Sequence, residues 1–312
     1  MKNLIKNFEN ITLPAEKKQW IAAVGVFDGV HPGHRAIIAA ARKRAEATGA
    51  GVLALTFLPH PRKLLDEKNA PALLVPEKRR VELLLDAGAD FCAYIDFTRQ
   101  AAAMEPEEFL SSLRDNGSFA ISGICVGERW RFGCKGRGGK AELTGFCREN
   151  NWSLDTVKEL EFEGVTISST AIRQALTAGN LDHAAELWGH PAVLCGKVAH
   201  GMQIAGSKLS APTANLVTDD LPVLPHGVYS GTAEVEGETF PAILNIGVAP
   251  TFNVGYRRVE IHLLDFKGDL YGKEVTVTLR SFIRPERRFD SPEELKAQIA
   301  KDIAAVRLTF LK

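Results

Sequence analysis

Two histidines stand within a glycine-rich segment, VGVFDGVHPGH, which spans residues 24–34. His31 and His34 are three positions apart, a spacing that puts both imidazoles on one side of a helix start. An imidazole N–H can donate a hydrogen bond to a phosphate oxygen, and glycine lets the backbone come close to a ligand. The pattern therefore predicts phosphate binding at this segment. Its three glycines are Gly25, Gly29 and Gly33.

Two elements are predicted to position these histidines. The bounded apolar run IAAVGVF, residues 21–27, is typical of a short buried strand. Residues 32–49 have the pattern of a helix, with Pro32 near its start and Gly49 past its end. Open α/β sheets bind ligands at the carboxyl ends of their strands, where a helix start offers unpaired N–H groups and partial positive charge. An anionic phosphate suits that position.

Two other interpretations fit the same residues. A zinc site would need a third ligand, and no further Cys or His stands at ligand spacing nearby. Alternatively, the segment is a glycine-rich turn in which the histidines form only local hydrogen bonds. Phosphate binding accounts for more of the pattern than either alternative.

Length and composition indicate a globular protein with two domains. The chain has 312 residues and 45% hydrophobic content, enough for two hydrophobic cores. Its 38 Lys and Arg residues balance 38 Asp and Glu residues, so no net field favours nucleic acid or an anionic membrane, and small molecules are the expected partners. The five cysteines form no CxxC pair, and no apolar run suits a signal peptide or membrane span. We expect a cytoplasmic enzyme with reduced cysteines. Both a monomer and an oligomer are compatible with these observations.

The first half of the chain alternates between strand and helix patterns. Such alternation predicts an α/β fold, a Rossmann-like domain with a mostly parallel sheet and helices on both faces. After the first strand and helix, the predicted strands are residues 51–57, 90–97 and 120–127, and the predicted helices are residues 76–88, 105–117 and 140–151.

The alternation of strand and helix patterns ends after two further predicted helices, residues 170–178 and 181–187. We place a domain boundary there. The two domains are thus residues 1–188 and 189–312. Short strand patterns separated by turns follow, which predict a small antiparallel β-barrel. A terminal helix is expected to pack on that barrel, because Ser291 has the type and place of an N-cap.

Further motifs follow the histidine segment in order along the chain. On this ordered set the sequence resembles the bacterial bifunctional riboflavin kinase/FAD synthetase family over essentially its whole length. The motifs are GVFDGVHPGH, TFLPHPRKLL, RFG and ISSTAIRQAL in the first half, and PTAN, HGVYSG, NIGVAPTFN, VEIHLLDF and DLYGK in the second.

The resemblance implies two activities on one chain. The N-terminal nucleotidyltransferase domain would make FAD from FMN and ATP. The C-terminal barrel would phosphorylate riboflavin to FMN. Mg²⁺ is expected to accompany both steps, with ATP as co-substrate and riboflavin, FMN and FAD as substrates and products.

Adenylyl transfer needs no protein nucleophile, so the protein has to position the substrates and neutralise charge. The resemblance makes His31 and His34 donors to the phosphates, and Arg173, about one turn into a helix, a clasp for the departing pyrophosphate. Simple helix capping with a solvent-facing arginine is the alternative for Arg173 and the residues before it. The expected ATP-binding residues are Gly25, Phe27, Asp28, Gly29, Gly33, Ser168, Ser169 and Thr170.

Flavin binding is expected in the segment TFLPHPR. Pro59 and Pro61 fix a rigid loop around His60, and with Phe57 they match family positions that line the flavin and nucleotide pocket. A stiff turn with an exposed histidine is the alternative. Arg129 replaces the Asp or Asn that is usual in the family, so it reverses the local charge. It would preserve the reaction if it paired with the FMN phosphate.

The predicted kinase site lies in the second half. Thr213 and Asn215 of PTAN carry oxygen atoms suited to magnesium and phosphate, and Glu260 matches the family's general base. Strand alternation puts Glu260 and His262 on one face. In the alternative interpretation, both belong to the solvated face of an amphipathic strand.

The second half also departs from the family at four positions. Two cations that would screen phosphate charge are missing, and Lys208 is the candidate substitute for one of them. A monofunctional FMN adenylyltransferase with a weak or inactive barrel is therefore the alternative function. A silent flavin-binding module and nucleotidyl transfer to another phosphorylated substrate are more distant hypotheses. The departures are Ser207, Ser210, Ala211 and Ala249.

Overall fold

A computed structural model describes residues 6–7, 18–115, 119–199, 214–218, 223–248 and 257–310 of the chain. The chain divides into two compact units, Met1–Ser169 and Thr170–Lys312.

The first unit is built on a parallel sheet. Across the sheet the strand order is β1-β4-β3-β2-β5-β6, and every neighbouring pair is parallel. The chain turns from one side of the sheet to the other at β2, which lies between β3 and β5. A ligand crevice is expected at the carboxyl end of such a strand. The described strands are β1 (Lys6–Asn7), β2 (Gln19–Val24), β3 (Gly51–Leu58), β4 (Phe91–Asp96), β5 (Ala120–Gly127) and β6 (Ser153–Val157).

The central strands are apolar on both faces because helices and loops cover them. All but one residue of β2 and of β3 are buried, which is typical of parallel strands. The connecting helices are α1 (Pro32–Thr48), α2 (Pro61–Leu65), α3 (Glu77–Asp86), α4 (Arg99–Ala103), α5 (Pro106–Arg114) and α6 (Lys140–Glu149). A small antiparallel pair, β7 (Glu161–Phe162) and β8 (Val165–Thr166), follows β6.

Two helices, α7 (Ser169–Thr177) and α8 (Leu181–Trp188), precede a closed antiparallel barrel. The order of its strands is β10-β13-β12-β11-β14-β9. The last helix, α9 (Pro292–Thr309), begins after the N-cap Ser291, whose side chain accepts a hydrogen bond from the backbone N–H of Glu294. The barrel strands are β9 (Val193–Ala199), β10 (Ala214–Val217), β11 (Gly227–Val235), β12 (Glu238–Val248), β13 (Arg257–Leu263) and β14 (Glu274–Pro285).

The predicted fold class is confirmed: an α/β unit with a parallel sheet and a small antiparallel barrel with a terminal helix. Predicted helix 32–48 is α1, which ends at Gly49 with a φ of 71°. The sequence pattern missed the strands β6 and β10 and the short helices α2 and α4. The predicted domain boundary at 188 stays a prediction. Within the described ranges, no helix is both long and apolar enough to span a bilayer.

Candidate active sites

The histidine turn joins β2 to α1 at the centre of the first sheet. His31 is the N-cap residue of α1 and is only 6% exposed. The rings of His31 and His34 stack, with centroids 3.7 Å apart and planes inclined by 21°. Phe27 meets the ring of His34 edge-on at 5.3 Å. The structure therefore brings the two predicted phosphate donors side by side.

The backbone of this turn is strained. Phe27 and Val30 have φ values of 52° and 44°, and Gly29 between them has a φ of 83°. Left-handed φ is unfavourable for a β-branched residue such as Val30, and conformations of this kind cluster at functional sites. The surrounding contacts must hold the turn in place.

Two other glycines allow rings to lie directly over the backbone. A Cβ atom at Gly25 would lie 3.0 Å from the ring of Phe27, and one at Gly33 would lie 3.2 Å from the ring of His31. Both distances are too short for ordinary contact. These glycines are therefore needed for packing of the turn, in addition to any role toward a ligand.

The start of α1 is open to an anion. Among the described residues, no side chain caps it and its first turn holds no acidic residue. The unpaired N–H groups of a helix start attract negative charge. Burial, followed by the charges of His31 and Arg80, holds the pKa of His34 well below its usual 6.5. His34 is therefore neutral at pH 7 and has one ring N–H to donate.

The second predicted anchor of the nucleotide site meets the turn through Ser169. Its hydroxyl donates to the backbone oxygen of Asp28 at 2.8 Å. The carboxylate of Asp28, only 2% exposed, accepts from the backbone N–H of Leu74 at 2.9 Å. Arg173 lies one turn further along α7 and is half-buried. Its role toward pyrophosphate stays a prediction, as do those of Ser168 and Thr170.

Sequence reasoning missed Arg80, which is the fourth residue of α3. Its side chain is 1% exposed, and Nη1 donates to the backbone oxygen of Val26 at 3.2 Å. Burial lowers its pKa, while Asp28 and Glu77 oppose that shift. Helical periodicity could have found it, because Arg80 lies three and four positions before the buried residues Leu83 and Leu84.

A cavity of about 1100 Å³ lies in the first unit. Its wall is rich in aromatic side chains, and Trp130 stacks on Phe132 with centroids 4.7 Å apart. Val26 lines it too, so the cavity reaches the residue where the histidine turn begins. An aromatic cleft of this kind suits a flat ring system. Other lining residues include Phe57, Pro61, Phe97, Met104, Phe109 and Arg131.

The predicted flavin residues divide into two groups. Phe57 and Pro61 line the cavity, whereas Pro59, His60 and Arg129 lie outside its lining. His60 is the N-cap of α2, and its Nδ1 accepts from the backbone N–H of Arg62 at 3.2 Å. The side chain of Arg129 is 79% exposed and forms an ion pair with Glu159 at 2.8 Å. Arg129 therefore has a partner other than the expected FMN phosphate.

In the barrel, a row of polar side chains crosses three neighbouring strands. Glu260 of β13 is paired in register with Asn215 of β10 on one side and Asn245 of β12 on the other. Arg258 joins this row: its Nε donates to Oδ1 of Asn215 at 2.7 Å, and its Nη2 lies 2.6 Å from Oε1 of Glu260. The sequence prediction included Glu260 and Asn215 but missed Arg258.

A second cavity, of about 580 Å³, opens on this row. Glu260, His262 and Asn245 form part of its lining, together with apolar residues. On the side of α9, Arg284 and Asp302 form a bidentate ion pair with a shortest distance of 2.8 Å, and Asp302 is only 3% exposed. This pair ties α9 to β14 beside the cavity.

The predicted magnesium ligands can be tested only in part. Thr213 lies outside the described residues, as do the departures Ser207, Ser210, Ala211 and Ala249 and the candidate Lys208. The oxygen of Asn215 faces the guanidinium of Arg258, and a cation beside it repels a divalent ion. The role of Asn215 as a magnesium ligand stays a prediction. Within the described residues, no group of three or more His, Cys, Asp or Glu side chains could hold a metal.

Two family models match the chain. The FAD synthetase model matches residues 13–171, and the riboflavin kinase model matches residues 188–310. The matches follow the two sites: the histidine turn lies in the first, and the barrel row lies in the second.

Curated relatives match nearly the whole chain. The bifunctional riboflavin kinase/FMN adenylyltransferase of Pseudomonas fluorescens is 34% identical over 97% of this chain and 96% of its own. The protein of that name from Escherichia coli K12 is 35% identical over 98% and 97%. A crystal structure described as a macrolide-efflux protein from Streptococcus pneumoniae is 29% identical, covers 97% of both chains and has a TM-score of 0.83. The chain belongs to the bifunctional riboflavin kinase/FMN adenylyltransferase family, a family of transferases.

Proposed function

We infer that this chain phosphorylates riboflavin to FMN and then transfers AMP from ATP to FMN, forming FAD and pyrophosphate. The observation that supports this most strongly is the presence of both family models on one chain, each over a unit with a polar site beside a cavity. The alternative of a single adenylyltransferase activity is disfavoured, because the riboflavin kinase model matches residues 188–310 and Glu260 lines the barrel cavity.

In the first unit, a phosphate oxygen of FMN attacks the α-phosphorus of ATP. The bond from that phosphorus to the bridging oxygen breaks, and pyrophosphate leaves. His31 and His34 donate hydrogen bonds to the phosphates, and the open start of α1 adds backbone N–H groups. We assign the flavin ring to the aromatic cavity, where Phe57 and Pro61 form part of the wall.

ATP binds at the histidine turn in this proposal. Gly25, Gly29 and Gly33 give it its shape, and Phe27 and Asp28 fix its backbone. Arg173 neutralises charge on the leaving pyrophosphate. These assignments explain why a protein without a nucleophile at this turn can still accelerate the reaction, since fixed donors stabilise the charge that develops.

In the barrel, Glu260 accepts the proton of the terminal ribityl hydroxyl of riboflavin while that oxygen attacks the γ-phosphorus of ATP, and ADP leaves. The adjacent cavity receives the flavin. Arg258 holds Glu260 by an ion pair and supplies positive charge near the phosphates. Mg²⁺ stays a prediction, and it would bind together with ATP. We place the protein in the cytoplasm, with small molecules as its substrates.

A flavin conversion assay tests the proposal. The protein is incubated with ATP, magnesium and either riboflavin or FMN, and the flavins are separated by chromatography. We expect FMN and FAD from riboflavin, and FAD with pyrophosphate from FMN. Formation of FAD from FMN without any FMN from riboflavin would support the monofunctional alternative instead.

A further inference from the structure

Arg80 is a buried cation that contacts the histidine turn at Val26. Its side chain is 1% exposed, and of its three nitrogens only Nη1 has a hydrogen-bond partner among the described residues. Nε and Nη2 are buried without one. Burying a charge without an ion pair destabilises a fold, so an apolar residue would suit this position better for stability alone.

The hydrogen bond of Arg80 does not by itself explain why an arginine is there. The backbone oxygen of Val26, which accepts from Nη1, also accepts from the hydroxyl of Thr56 at 2.9 Å. This oxygen therefore accepts two hydrogen bonds, and Arg80 supplies the one that links the turn to α3. The segment leading into α3 has its own link to the turn, because the N–H of Leu74 donates to the carboxylate of Asp28.

The guanidinium of Arg80 lies close enough to His34 to affect its protonation. His34 faces the imidazole of His31 from its own helix and the guanidinium of Arg80 from α3, and both act against protonation of His34. The acidic groups that face Arg80 are Asp28 in the turn and Glu77 at the start of α3. Positive charge thus lies near His34, next to the turn.

We propose that Arg80 is a positioning residue for adenylyl transfer: its buried guanidinium holds the backbone oxygen of Val26, where β2 enters the histidine turn, and places a cation near His34. The inference rests on the proposed function of the first unit. A buried positive charge near the turn also favours binding of a triphosphate there, because low-dielectric surroundings screen that charge weakly.

Three variants test the proposal. Arg80→Met and Arg80→Gln remove the charge with different side chains, and Arg80→Lys keeps it. Arg79→Met is the matched control, because Arg79 is the preceding residue of α3 but is half-exposed and paired with Glu82 at 2.9 Å. FAD formation from FMN is measured on each full-length protein, and circular dichroism with urea unfolding reports whether the first unit is folded.

The second readout is the pKa of His34. It is followed by NMR on protein labelled at histidine, with the signal assigned by its loss in His34→Gln. This measurement needs no turnover. A failure of the proposed function, with no FAD formed by the unchanged protein, is therefore distinguishable from a failure of the role given to Arg80.

We expect the neutral variants to lose about 10- to 100-fold in kcat for FAD formation, a usual effect for a group that orients another. The pKa of His34 should rise in both but stay below 6.5, because burial, the main cause of its low value, remains. Arg80→Lys should keep it low, and Arg79→Met should change neither quantity. Normal FAD formation in the neutral variants, or loss of activity with an unmoved His34 pKa, would overturn the proposal.

Discussion

The two sites differ in how far their charges are withdrawn from water. In the first unit, His31 is 6% and Arg80 1% exposed, and the donors stand on a strained turn. In the barrel, Arg258 and Glu260 are 39% and 24% exposed. Charges and dipoles act more strongly where water is excluded. The first site therefore suits a reaction that needs fixed donors, whereas the second suits one in which a carboxylate takes a proton.

The comparison also shows two ways to hold functional groups. In the first unit, hydrogen bonds from Arg80 of α3, from the backbone of Leu74 and from Ser169 hold the histidine turn. In the barrel the polar groups are fixed by strand register, since Glu260 stands between Asn215 and Asn245. A substitution at the turn should therefore disturb several groups together, and one in the barrel row should act more locally.

The largest effect is expected from Glu260→Gln. The amide cannot accept the proton of the ribityl hydroxyl, so riboflavin phosphorylation should fall by about 10²- to 10⁴-fold. FAD formation from added FMN should be unchanged. Both rates are measured by separating flavins. If the two reactions fell together, the division of chemistry between the units would be wrong.

His31→Ala should come next, with a loss of about 10²- to 10³-fold in kcat for FAD formation, because one fixed donor to the phosphates is removed. Riboflavin phosphorylation should stay normal, and circular dichroism with urea unfolding serves as the control for folding of the first unit. His183→Ala, in α8, is the matched histidine control. Unimpaired FAD formation by His31→Ala would exclude this histidine from the site.

The sequence allowed more to be predicted for the first site than for the second. The motif with His31 and His34 fixed their closeness in advance, because its turn and helix are local. Arg80 is distant in sequence, so only the packing of α3 brings it to the turn. Strand alternation places Arg258 on the same face as Glu260. Arg258 was missed because alternation does not reveal that β10, which carries its partner Asn215, lies beside β13.

Two expectations for single residues also needed tertiary structure. The side chain of Arg129 is paired with Glu159, over 25 positions later in the chain, which no local pattern could indicate. β10 was missed since ANLV is only four residues long and shares its first two residues with the PTAN motif. β6 was missed because its five residues are all half-buried and show no alternation.

A smaller effect is expected at the barrel from Arg258→Gln. The glutamine keeps a donor for Asn215 but removes the positive charge near the phosphates, so the KM for ATP in riboflavin phosphorylation should rise about tenfold. Arg307→Gln is the control, because Arg307 pairs with Asp265 at the surface. An unchanged KM for ATP would show that Arg258 serves only the strand pairing.

The smallest effect concerns pH. The pKa of His34 is lowered in the folded chain, chiefly by burial, so the unfolded chain binds more protons once the pH falls below 6.5. The free energy of unfolding should therefore be fully kept above pH 6.5 and should decline on acidification.

Urea unfolding at several pH values measures this decline. His34→Gln should flatten the dependence below pH 6.5, whereas His183→Gln, at a partly exposed site, should leave it as it is. A dependence that is identical in both variants would mean that His34 is not the group responsible.

A mixing experiment tests the central claim of two separate sites most directly. Glu260→Gln and His31→Ala are each given riboflavin, ATP and magnesium, alone and in equal mixture, and FAD is measured. We predict that neither variant alone forms FAD efficiently, while the mixture does, because FMN made by the barrel of one molecule is adenylylated by the first unit of the other. A mixture that forms no more FAD than the separate variants would contradict the account.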